Sequence, residues 1–140
     1  DFGVASDVWS CPSFTELRRD GMEAARWNLL HPEAAPRVPH IAKCLDKRVG
    51  PAVVATDYMR IFAEQVRPYV DRRYTVLGTD GFGRSDTREQ LRRFFEVNRF
   101  YVVVAALKSL ADEGTIPAVT VTQAIRKYQI DPEKAAPWRV

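Results

Sequence analysis

Apolar side chains recur along the chain with two different periods, and the switches between them mark out the elements. Residues 3–11 (GVASDVWSC) alternate through Val4, Ser6 and Val8 and predict a short strand that Pro12 ends. Ser13 and Glu16 then read S-x-x-E, a pattern in which each side chain can satisfy the other residue's backbone N–H. The spacing predicts a helix from there to about Leu30. Phe14, Leu17, Ala24, Ala25 and Leu29 face inward, and Gly21 weakens the middle. HPEAAPRVPH is an extended connector with three prolines, and Ile41 to Leu45 form a turn or two of helix.

A continuous apolar run, AVVAT (residues 52–56), predicts a strand covered on both faces. Asp57 is placed to cap a following helix that carries Ile61, Phe62, Gln65 and Val66, with Pro68 near its end. YTVLGTD (residues 74–80) is a third strand. Asp86 with Glu89 predicts the start of another helix, with Leu91, Phe94 and Phe95 inside and Arg88 and Arg92 in solvent. The three valines of FYVVVAAL favour a strand. Yet Phe100, Val103, Val104, Leu107, Leu110 and Ala111 keep helical spacing between an Asn98 cap and Gly114, so the segment reads as a helix. A last helix sets Val121, Ala124, Ile125 and Tyr128 on one face and stops at Asp131-Pro132.

Strands that alternate with helices predict an α/β fold with a mostly parallel sheet and helices on its faces, in a single domain over residues 1–140. Three strands make a small sheet, and AVVAT calls for neighbours on both sides. Together with an opening already in mid-pattern, this reads as a piece of something longer, or a processed product.

Composition narrows the picture without redirecting it. Hydrophobic residues make up 46% and charged residues 28%, as in a soluble globular domain. Twenty-one basic and 18 acidic residues leave +3, too small an excess to imply nucleic acid. The basic stretches RKYQI and Arg92-Arg93 are interrupted by acids, and their neighbouring aromatics fall at core spacing. No apolar run approaches the ~20 residues that cross a bilayer. Cys11 and Cys44 form neither a zinc nor a C-x-x-C spacing and fit a reducing, cytoplasmic setting.

The candidate chemistry gathers at two places. The loop Gly78-Thr79-Asp80-Gly81-Phe82-Gly83-Arg84-Ser85 has the G-x-x-x-x-G gap of a phosphate loop, but Arg84 and Ser85 stand where Lys and Ser/Thr belong. Asp80 lies inside it, and an ionised carboxylate repels a phosphate. It reads first as a tight turn that launches a helix, with a small-anion or nucleotide site as the alternative. The second place is the carboxyl ends of the strands: Ser10, Thr56 with Asp57, and Thr79 with Asp80, where two converging carboxylates could do acid–base work. His31 and His40 sit beside prolines with no metal-ligand spacing around them. These local signals assign no catalytic, cofactor-binding or metal-ligating residue.

As a whole the chain says more. DFGVASDVWSCPSFTELRRDG, RWNLLHPEAAPRVPHIA, AVVATDYMRIFAEQVRPYV, YTVLGTDGFGRSDTREQLRRFFEV and YVVVAALKSLADEG, in this order, closely resemble the C-terminal region of the bacterial homodimeric pyruvate dehydrogenases. That domain looks like the C-terminal domain of transketolase. The resemblance implies a three-layer α/β/α fold with a mostly parallel sheet, here lacking the family's first strand and helix. It implies thiamine diphosphate and magnesium held elsewhere in the complete enzyme and not by this chain, which alone should be inactive. The implied partners are the rest of its own polypeptide, a second subunit and the dihydrolipoyl acetyltransferase component, with no nucleic acid or membrane; docking of a partner component through the basic helices is a separate, third reading. Its implied role is structural, with Asp80, Gly81, Phe82, Gly83 and Arg84 at a domain or subunit interface.

Overall fold

A computed structural model describes all 140 residues, which fall into two compact units. Asp1–Val49 with Glu64–Asp71 form the first, and Gly50–Ala63 with Arg72–Val140 the second.

In the first unit, α1 (Phe14–Leu30) begins at the foreseen place. Ser13 is extended, and its hydroxyl accepts from the Glu16 N–H at 3.2 Å. Gly21, which weakens the helix by propensity, is its closest packing point. A Cβ there would lie 2.4 Å from the ring of Tyr69, so only glycine lets that ring approach. Gly21 and Ala24 are buried, whereas Leu29 is 78% exposed and Ala25 is also in solvent, so the apolar stripe is narrower than its spacing implied. The short helix α2 (His40–Leu45) packs on α1.

The first expected strand does not form. Residues 3–11 pair with no strand, and Val8 is 93% exposed. Their side chains meet an arginine instead of a sheet: Arg48 binds Asp7 at 3.2 Å and lies over the Trp9 ring. Alternation over a few residues specifies a strand only where a neighbour offers its backbone, and none does here.

The second unit holds a two-stranded parallel sheet of β1 (Ala52–Ala55) and β2 (Tyr74–Leu77) in the register Ala52↔Tyr74 to Ala55↔Leu77. The ladder extends one residue beyond β1, where the Thr56 N–H donates to the Leu77 carbonyl at 3.0 Å. β1 is half-buried along Ala52–Val54 and exposed at Ala55, so its two faces are not both covered as the apolar run predicted.

Helix α3 (Arg60–Glu64) starts three residues after Asp57, which therefore does not cap it. A 3-10 turn at Arg67–Tyr69 takes in Pro68. Helix α4 (Arg88–Phe94) is capped by Thr87, whose hydroxyl accepts from Gln90, while the Asp86 carboxylate accepts from the Thr87 N–H. The cap lies one residue later than the Asp86–Glu89 spacing implied, because Thr87 serves the same purpose.

Helix α5 (Arg99–Asp112) resolves the valine run in favour of helix. The Asn98 side chain accepts from both the Phe100 and Tyr101 N–H groups, and Gly114 follows the helix with φ 73°. α5 packs on both strands and on α6 (Ala118–Lys127). The core of this unit is Ala63, Tyr74, Val76, Phe95, Val97, Leu107, Val121 and Ala124. Two polar pairs lie in this unit: the Tyr74 hydroxyl donates to the Ala63 carbonyl at 2.9 Å, and Thr75 and Ser109 join hydroxyls at 3.1 Å.

Candidate functional site

The carboxyl ends of β1 and β2 lie side by side, and each continues into a Thr-Asp pair. After β1, the Thr56 hydroxyl accepts from the Tyr58 N–H at 3.1 Å. The Asp57 carboxylate takes Arg92 Nη1 at 2.5 Å and has Arg88 Nη2 at 3.8 Å. The other guanidinium nitrogen of Arg92 donates to the Val97 carbonyl at 2.9 Å, so this one side chain ties the end of β1 to the α4–α5 corner. Arg92 is thus a partly buried anchor, although helix periodicity put it in solvent.

After β2, Gly78 is buried against the loop that follows β1. A Cβ on it would sit 2.7 Å from the Arg60 nitrogen and 2.9 Å from the Tyr58 carbonyl oxygen. That closeness lets the Thr79 N–H donate to the Tyr58 carbonyl and the Thr79 hydroxyl donate to the Asp57 carbonyl, both at 2.9 Å. Asp80 Oδ2 then faces Arg60 Nε at 3.2 Å. Both atoms are shielded from solvent. They face each other as charges without the alignment of a hydrogen bond.

Asp57 and Asp80 each pair with a separate guanidinium and hold the loops in place. Ser10, the third residue expected at a strand end, lies in the exposed segment of the first unit that forms no strand.

Beyond Asp80 the glycine turn projects outward. Gly81 has φ 119°, and a Cβ on it would lie 2.7 Å from the Pro137 carbonyl oxygen, so conformation and space both require glycine. Gly83 has open space around it. Phe82 is 80% exposed, and the Arg84 guanidinium lies 4.1 Å from the centre of the Phe94 ring. A shallow depression of about 310 Å³ opens between Arg84, Ser85, Asp86, Gln90, Leu91 and Phe94. The chain itself answers the first N–H groups of α4 through Asp86 and Thr87. With Asp80 in the loop and the Pro137 backbone against Gly81, the anion-cradle alternative is not favoured.

The histidines are structural. His31 Nδ1 donates to the Trp27 carbonyl at 2.8 Å, and its ring stacks on Trp27 at 4.4 Å. Arg37 also lies on that ring, while the Asn28 side chain donates to the Arg37 carbonyl and accepts from the Arg37 N–H. These contacts explain the RWNLLHPEAAPR phrase: it is a helix end that folds its own connector back. The His40 N–H donates to Asp20 at 2.6 Å, and its ring lies 3.4 Å from Cys44 Sγ. Burial pushes the Cys11 thiol up, partly offset by a backbone hydrogen bond from Ser13. No group of three His, Cys, Asp or Glu side chains is placed to hold a metal ion, and no helix is long and apolar enough to cross a membrane.

Sequence reasoning missed the role of the last ten residues. Pro137 is fully buried, Trp138 lies against Arg60 with 4.8 Å from guanidinium to ring centre, and Lys134 reaches the end of α4. The available signal was the pairing of Pro137 with Trp138 just beyond a helix stop.

Comparison with known proteins places these features in a family. The chain is 61% identical over all 140 residues to the pyruvate dehydrogenase E1 component of Cupriavidus necator, of which it spans 16%. It is 56% identical over 138 residues to that of Pseudomonas aeruginosa and 58% over 138 residues to that of Escherichia coli, covering 98% of this chain and 16% and 15% of those proteins. The chain therefore spans about one-sixth of the length of the curated relatives it matches. Residues 1–98 match the transketolase-like TK C-terminal domain, from the capped α1 through both Thr-Asp strand ends and the glycine turn to α4. A parallel strand pair whose loops are fixed by arginines, in a sequence this similar throughout, belongs to the transketolase-like C-terminal domain family.

Proposed function

We propose that this chain is the C-terminal, assembly-forming part of a pyruvate dehydrogenase that uses thiamine diphosphate and magnesium to decarboxylate pyruvate and reductively acetylate a lipoyl group. The observation that carries this reading is the 61% identity running the full 140 residues of the chain. The chain's own residues do not fit the cofactor. The glycine turn carries an ion-paired Asp80 and abuts Pro137, and its metal-ligating side chains do not converge in threes. In this reading thiamine diphosphate and magnesium would be held by other parts of the enzyme, where the thiamine would supply the decarboxylation chemistry.

What this chain contributes is an ordered surface. Asp80, Gly81, Phe82, Gly83 and Arg84 face another domain or the second subunit of a homodimer, and Phe82, held out by a turn that Arg60 and Pro137 brace, is the natural anchor. The enzyme works in the cytoplasm with a dihydrolipoyl acetyltransferase component, and the 140-residue chain alone turns over no pyruvate.

The test uses the full-length polypeptide. Pyruvate turnover and the dimer dissociation constant are measured for wild type, Asp80→Ala and Phe82→Ala. Both variants are expected to weaken the dimer or lower turnover at least tenfold. Unchanged dimerisation and turnover in both would remove the interface role, and a wild-type protein that leaves pyruvate untouched would remove the enzyme reading.

A further inference from the structure

None of residues 80–85 takes part in a backbone–backbone hydrogen bond. The turn does not hold its own shape, yet it carries a carboxylate oxygen shielded from solvent and a positive φ. Its shape comes from contacts to other segments: the last ten residues touch it directly at Gly81 and back, from behind, the Arg60 and Phe94 side chains that hold its two ends.

At its start, Asp80 pairs with Arg60, whose guanidinium lies on Trp138. In its middle, Gly81 abuts the carbonyl of the fully buried Pro137. At its end, Arg84 lies on the Phe94 ring, and Lys134 Nζ lies 5.1 Å from the centre of the same ring. Lys134 also donates to the Phe94 carbonyl at 2.7 Å and to Glu96 at 3.2 Å, gripping the carbonyl end of α4, where unpaired acceptors and the helix dipole favour a cation. The strap is itself stiffened. The Asp131 carboxylate accepts from the Glu133 N–H at 2.9 Å, the Lys134 N–H donates to the Asp131 carbonyl at 3.4 Å, and Pro137 to Arg139 form a 3-10 turn closed by Arg139 to Ala136 at 2.9 Å.

We infer that residues 131–140 are a strap that sets the conformation of the glycine turn, so that this segment controls whether Phe82 and its neighbours are presented to the second subunit. The docking half of this inference rests on the interface role proposed above, and the strap half does not. Disordering the tail releases the turn while leaving the sheet and α5 intact, because neither strand depends on the tail for its pairing.

The test is native-state trypsin cleavage of the full-length polypeptide, reading the cut after Arg84 against an internal control after Arg126 in α6. Proteolysis of a locally open segment reports its open population. Trp138→Ala is expected to speed the Arg84 cut about tenfold and Lys134→Met several-fold, with the Arg126 cut unchanged. An Arg84 cut that stays at the wild-type rate in both variants overturns the strap. So do Arg84 and Arg126 cuts that accelerate together in both variants, because the tail then supports the whole unit. If Trp138→Ala does not fold, Lys134→Met decides alone, since it removes only partly exposed contacts. Pyruvate turnover of the wild type is measured on the same sample: its absence sinks the enzyme reading and leaves the strap standing, whereas unchanged cleavage does the reverse.

Discussion

β1 and β2 end in nearly the same words, VVATD and VLGTD, yet the two ends are built differently. At the first, Asp57 remains 55% exposed and draws two arginines from α4. At the second, Asp80 is 32% exposed and takes one arginine, Arg60, in a pair whose facing atoms are cut off from water. The difference begins at the residue before each Thr-Asp pair, which is Ala55 at the end of β1 and Gly78 just after β2. Glycine lets the second loop lie directly on the first, and the Thr79 hydroxyl then holds the Asp57 carbonyl. A Thr-Asp pair after a parallel strand therefore carries no fixed chemistry. Which arginine reaches it, and how closely the backbones approach, decides what the carboxylate does.

The sharpest way to break this asymmetry is Gly78→Ala. Its Cβ would enter space held by the Arg60 and Tyr58 backbones, which have no rotamer to yield. Overpacking of this kind costs about 1–3 kcal/mol and sometimes more, and the Thr79 to Tyr58 hydrogen bond is lost with it. The reciprocal Ala55→Gly, at an exposed strand end, is expected to cost under ~1 kcal/mol. Urea unfolding of the two variants measures the gap, and equal losses would mean that the close approach at Gly78 does not distinguish the two ends.

A smaller effect separates the carboxylates themselves. Asp80→Asn leaves the shielded Arg60 Nε without its counter-charge, and about 1–2 kcal/mol of stability should be lost. Asp57→Asn removes a more exposed pair and should cost less than ~1 kcal/mol. The order should persist in 1 M salt, where screening reduces the Asp57 contribution further. A larger loss at Asp57 would show that tying α4 to the strand end outweighs shielding.

Much of this was legible in the sequence. The Ser13 and Asn98 caps, α5 against its valine run, and the two strands all follow from local patterns, because capping and periodicity act within a few residues. What failed depended on partners distant in sequence. Residues 3–11 have a strand's alternation but no neighbour to pair with. Asp57 looks like a cap until Arg92, 35 residues on, claims it. The glycine turn resembles a phosphate loop until Asp80 meets Arg60 and Gly81 meets Pro137. Family resemblance carried information that the local rules could not, since the phrase TDGFGRSD encodes contacts made at a distance, to Arg60 and Pro137.

The opposite end of β2 supplies the control. Arg73, just before the strand, faces Asp112 and Glu113 at the end of α5, at 3.6 and 3.7 Å, and Lys108 hydrogen-bonds Asp112 from one helical turn away. The Lys108 hydrogen bond, with added attraction from Lys108 and Arg73, holds the Asp112 carboxyl below its usual value near 3.8. Because the folded value lies below the unfolded one, any stabilisation from this group is complete above about pH 4–5 and disappears as the pH falls through the folded value. Lys108→Ala should return the Asp112 midpoint, followed by carboxyl NMR, part of the way toward 3.8, with Arg73 keeping the remainder. The stability difference between Lys108→Ala and wild type should also close in acid. A midpoint that does not move would assign the shift to Arg73 alone. Asp112 would then resemble Asp80, a carboxylate governed by one arginine, rather than Asp57, which is shared between two cations of a single helix.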